Sequence, residues 1–182
     1  MKPLSTFTGI LLAFLLLAAS SHAKSYSTTL APEAPGATGG GTAWFEYDSF
    51  AHTLAINITF FGLSGTTTIA HIHAATAVAF TGTAAPATQV PTFIGFPTGL
   101  QEGEFDLANY DLSAAASYNP NFITANGGTV AGAEAALIAA FDEGKAYLNI
   151  HTAPIEPNGP ISVVEKFVAS FGRFLIVRSR VC

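Results

Sequence analysis

Two runs near the start of the chain body alternate apolar and polar residues with a period of two. In the first, Ala43, Phe45 and Tyr47 alternate with Thr42, Trp44 and Glu46; in the second, Leu54, Ile56, Ile58 and Phe60 alternate with Thr53, Ala55, Asn57 and Thr59. Successive side chains leave a strand on opposite faces, so this period buries one face of a strand and leaves the other polar. The Asp48-Ser49-Phe50-Ala51-His52 segment between the runs supplies a turn, and the pair reads as an antiparallel hairpin.

Further strands follow the same logic. Thr68 to His73 comes after the turn formers Gly62-Leu63-Ser64-Gly65, with Val78 to Phe80 as a short continuation, and Gly103 to Leu107 forms another strand. Between them, Thr81 to Thr98 carries Pro86, Pro91 and Pro97, which predicts a loop with at most one edge strand. Thr129 is placed as a helix N-cap, since Val130, Ala133, Leu137 and Phe141 recur at helical spacing and Gly144 stands at the C-terminal cap. Ala146, Leu148 and Ile150 then alternate with Tyr147, Asn149 and His151. Short strands around a single helix predict a mainly β chain, an antiparallel β-sandwich with one inserted α-helix.

The first 23 residues have the pattern of a cleavable signal peptide. Lys2 precedes an apolar run from Ile10 to Ala19, and Ser21-His22-Ala23 offers small residues for cleavage before Lys24. The run is shorter than the ~20 residues that cross a bilayer, and no second run of that length follows. A secreted protein without a membrane span is the expectation, with one domain over 24–162 and a basic tail over 163–182. From Lys24 to Glu165 only Lys24 and Lys145 are basic, against twelve acidic residues. Such a body repels a phosphate backbone and argues against nucleic acid as a partner. With Cys182 the sole cysteine, the chain has no internal disulfide, and this thiol could serve only a disulfide-linked dimer. Core packing must hold the fold, which agrees with fifteen Phe and only 10% charged residues.

His71 and His73 sit at positions i and i+2 of one strand and leave the same face, and His151 ends another strand. If the strands are neighbours, three imidazoles converge, a set that suits copper or zinc and leaves a metal-dependent redox activity open as the alternative to a purely binding role. The same residues also read as structural histidines donating ring N–H groups to backbone carbonyls, and both readings stay open. Neither an acid nor a further histidine follows His73 within ten residues to complete the metal motif of the cupins. A nucleophile elbow and a phosphate-cradling glycine loop are absent, so no catalytic set is assigned. Glu102, Glu104 and Asp106 alternate as a solvated strand face. Asn57-Ile58-Thr59 is an acceptor for N-glycosylation in a secreted chain.

Ala70-His71-Ile72-His73 together with Tyr147-Leu148-Asn149-Ile150-His151-Thr152-Ala153 resembles the CHRD domain first described in chordin. The Gly-rich approach and strands from Thr38 to Phe61, and Gly62-Leu63 before the histidines, are similar too, so the resemblance spans roughly Tyr26 to Gly159. It implies a β-sandwich of the copper/zinc superoxide dismutase type, an immunoglobulin-like Greek key, in which a His-x-His strand supplies metal ligands. It implies an extracellular, non-enzymatic binding module with a protein or matrix partner, and no established catalytic activity. Two departures stand out. Ala74-Ala75 replaces the family's usual Gly-Pro, and Gly159-Pro160-Ile161-Ser162 replaces the closing Gly-Glu-Ile-Arg-Gly strand, where Pro160 removes a backbone donor.

Overall fold

A computed structural model describes residues 23–33, 36–153 and 172–173. The expected leader, apart from Ala23, lies outside the described residues, as do Gly159-Pro160-Ile161-Ser162, Cys182 and all of the basic tail but residues 172–173. The described chain forms two antiparallel sheets. The larger joins β1 (Ala23–Leu30), β2 (Gly40–Asp48), β3 (Thr53–Phe61), β5 (Gly103–Asp111) and β7 (Gly172–Arg173) in the order β5-β3-β2-β1-β7. The smaller pairs β4 (Thr67–His73) with β6 (Tyr147–Thr152). The expected mainly β, sandwich-like architecture is therefore present.

The period-two runs do what their pattern dictates. In β2 and β3 the inward apolar residues, Ala43, Phe45, Tyr47, Leu54, Ile56, Ile58 and Phe60, are buried while Trp44, Glu46, Asn57 and Thr59 stay half-buried on the outer face. β2 and β3 pair in an unbroken register that puts Phe45 opposite Ile56 and Tyr47 opposite Leu54. Their inner side chains meet Ala70 and Ile72 of β4, Leu148 and Ile150 of β6, and Leu137 and Phe141 of the helix in one continuous core. Each of the larger of these side chains contributes roughly 1.5–3 kcal/mol on full burial.

That helix, α2 (Val130–Asp142), begins where expected, the Thr129 hydroxyl accepting the Gly132 N–H at 3.0 Å. It ends at Gly144, whose φ of +67° suits glycine. Phe141 stacks on Tyr26 of β1 with ring centroids 4.9 Å apart, and Lys24 and Tyr26 reach Asp142 at 2.6 and 3.0 Å. These contacts fasten the helix to the large sheet.

Three local expectations change. Val78 to Phe80 does not continue β4: Val78 bridges to Thr81 across a tight turn in which Phe80 takes a φ of +62°. A second, short helix, α1 (Pro120–Ala125), precedes α2, with Asn119 as its cap and proline at its first position. β1 was not marked by the alternation, because only Tyr26 and Leu30 along it are buried. Thr81 to Thr98 contains no extended strand, as expected, but it is not idle. Ala87 N–H donates to Ile72 O, Phe93 N–H to Ala70 O and, just past the segment, Gly99 N–H to Thr67 O, closing the free edge of β4.

Candidate metal centre

The small sheet positions the histidines. In the β4–β6 register Ile69 faces His151, His71 faces Asn149 and His73 faces Tyr147. Side chains alternate, so Ala70, Ile72, Leu148 and Ile150 enter the core while His71, His73, Tyr147, Asn149 and His151 share the opposite face. This face is not solvent: His71 is 4% exposed, His73 7% and Asn149 0%. Alternation in β6 thus separates two buried surfaces, one apolar and one polar.

The three predicted imidazoles come together. One ring nitrogen from each of His71, His73 and His151 lies within 4.8 Å of the others. The rings of His71 and His73 stand edge-on with centroids 4.5 Å apart, and His71 meets His151 at 5.0 Å. Tyr147 stacks on His73 at 4.7 Å, its hydroxyl held at Ala84, which fixes the plane of that ring.

Protonation follows from the partners. His73 Nδ1 lies 2.7 Å from Ala84 O, and a carbonyl can only accept, so Nδ1 carries the proton and Nε2 presents its lone pair. His73 is thus both a backbone donor and a candidate ligand, an arrangement common to imidazoles that bind metals. His71 Nδ1 is buried and has no hydrogen-bond partner, and His73 Nε2 and His151 Nε2 are shielded from solvent. Burial, aided by the neighbouring His73 and His151 rings, lowers the His71 pKa to about 4. His71 is therefore neutral near pH 7, the form in which imidazole binds a metal.

These features fit a first-row metal ion. Metal–nitrogen bonds of about 2.0–2.1 Å need nitrogens roughly 3.3 Å apart in a tetrahedral site, a modest contraction of the observed cluster. The chain would hold the ion at His71, His73 and His151, with Ala84 O orienting one ligand from behind.

The other expected site residues lie elsewhere. Asn57 sits mid-strand on the outer face of the large sheet, its side-chain amide donating to the Asp106 carboxylate. Glu102, Glu104 and Asp106 are exposed, as a solvated face requires. Two features escaped the sequence. Asn149 belongs to the histidine face, which the strand period implies once β4 and β6 are known to pair. Glu134, buried on α2, accepts Tyr47 OH at 2.8 Å and His52 Nδ1 at 2.9 Å, contacts that no local pattern signals.

Among the described residues no helix is long and apolar enough to cross a membrane. No curated protein and no solved structure shows significant similarity to the chain. The CHRD domain family model matches residues 25–162, most of the chain and all but one of its strands of six residues or more in full. CHRD domains occur in extracellular proteins and are non-enzymatic modules. With both histidine segments inside the matched span, the chain belongs to the CHRD domain family.

Proposed function

We propose that this chain is a secreted CHRD module that binds one copper or zinc ion through His71, His73 and His151 and catalyses no reaction of its own. The observation that carries the reading is the convergence of three ring nitrogens within 4.8 Å on a buried face. Support for secretion comes from the Lys2, Ile10–Ala19 and Ser21-His22-Ala23 pattern together with the extracellular setting of the family. The bound ion would supply a Lewis-acidic cross-link between β4 and β6. The imidazoles would hold it, Ala84 and Tyr147 would keep His73 oriented, and the protein around them would keep bulk water away.

Metal analysis of the purified secreted protein tests this. About one equivalent of copper or zinc is expected, lost when His71 and His73 are both changed to Ala. A metal-free protein after incubation with either ion, or metal that survives the double substitution, removes the reading.

A second role, docking of an extracellular protein or matrix partner, is favoured by the exposed apolar Val90, Ile94 and Leu100 on the segment that edges β4. Ile94→Asp with Leu100→Asp should then abolish co-purification of a partner from culture medium while metal content is kept; unaltered co-purification eliminates it. An Asn57-linked glycan and a Cys182-linked dimer belong to the same extracellular reading, checked by Asn57→Gln mobility and a non-reducing gel.

A further inference from the structure

Asn149 is fully buried, and neither its Oδ1 nor its Nδ2 meets a hydrogen-bond partner. Outside the histidine cluster, buried polar side chains of the described residues have partners: Thr67 donates to Pro97 O, Thr88 accepts the Ile72 N–H, and Glu134 accepts from Tyr47 and His52. A buried amide that can donate twice and accept twice, yet does neither, loses its hydration without return. Its position gives the reason. Asn149 faces His71 directly across the strand pair and is two residues from His151 on the same face.

We infer that Asn149 holds a small anion at the fourth position of the metal bound by His71, His73 and His151. The inference rests on the three-imidazole reading. Three neutral imidazoles leave a divalent ion one tetrahedral position and its full charge, and among the described residues no carboxylate joins the cluster to offset it. In a site shielded from water that charge attracts a small anion strongly. An amide beside the anion donates Nδ2–H to it without adding a competing negative charge. Aspartate in its place would neutralise the ion itself and exclude the anion.

The test uses the full mature protein loaded with Cu(II), with azide as the probe, followed by its charge-transfer absorption and by electron paramagnetic resonance. Wild type is expected to bind azide, and Asn149→Ala and Asn149→Leu to keep one copper per chain with azide affinity at least tenfold weaker. Asn149→Leu retains bulk, so it covers the case in which Asn149→Ala does not fold. Unchanged or tighter azide binding in a copper-loaded variant overturns the inference and leaves the imidazole site standing, as does wild type that holds copper but not azide. Wild type that takes up no copper overturns the inference, and if it takes up no zinc either, the imidazole site falls with it.

Discussion

His71 and His151 meet edge-on with ring centroids 5.0 Å apart, although one belongs to the strand before the long loop and the other to the strand after the helix. The contact exists because β4 and β6 pair with each other in the small sheet. A ligand that binds only this arrangement stabilises the folded state by mass action, about 2.7 kcal/mol at a free concentration 100 times Kd. Copper or zinc is therefore expected to raise the thermal midpoint, a chelator to reverse the rise, and His151→Ala to abolish it. Calorimetry with and without metal checks all three, and identical midpoints in every sample would contradict the prediction.

Metal-free protein should lose stability in mild acid. The folded state holds His71 near pKa 4 against an ordinary value of 6.5, so between these limits the unfolded chain binds more protons. The stabilising contribution is complete above about pH 6.5 and fades as pH falls toward 4, with a ceiling of about 3 kcal/mol at roughly 1.4 kcal/mol per unit. Urea titrations of wild type and His71→Gln at pH 7 and pH 5 isolate it. The variant should show the smaller acid loss; equal losses would sink the assignment.

Glu134 ties the helix to the first hairpin through Tyr47 and His52. Tyr47→Phe removes one hydroxyl and should cost about 1–2 kcal/mol, whereas Glu134→Ala strands the buried Tyr47 hydroxyl and should cost about 2–4 kcal/mol. His52→Ala should cost least, because that ring is half exposed. Chemical denaturation gives the ranking, and a His52 variant weaker than Glu134→Ala would reverse it.

The helix ends predict two smaller effects. Thr129→Ala loses the cap on Gly132 N–H and should cost about 1 kcal/mol. Gly144→Ala should cost more, since its φ is +67° and a methyl there would overlap the Phe80 ring. Denaturation midpoints order the two variants, and a neutral Gly144→Ala would show that the loop around Phe80 yields.

Legibility in the sequence tracked how local each cause is. β2, β3, α2 and the face shared by His71 and His73 were readable because period and capping act within a few residues. β1 was not, since Tyr26 and Leu30 are its only buried anchors and pairing with β2 defines the rest. Asn149 looked like an outward polar residue of β6; only the cover over that face makes it buried. Glu134 lay on a helix whose partner residues come from a distant hairpin, so no spacing rule marks it.

The pairing of β4 with β6 has a consequence for synthesis. A nascent chain that has emerged only as far as α2 owns two of the three imidazoles and cannot assemble the third, whatever ion surrounds it. Closing so long a loop is slow relative to local hairpins, so the site would mature last. Uptake of an ion by this domain would mark a chain made at least through β6 and could not guide its earlier half.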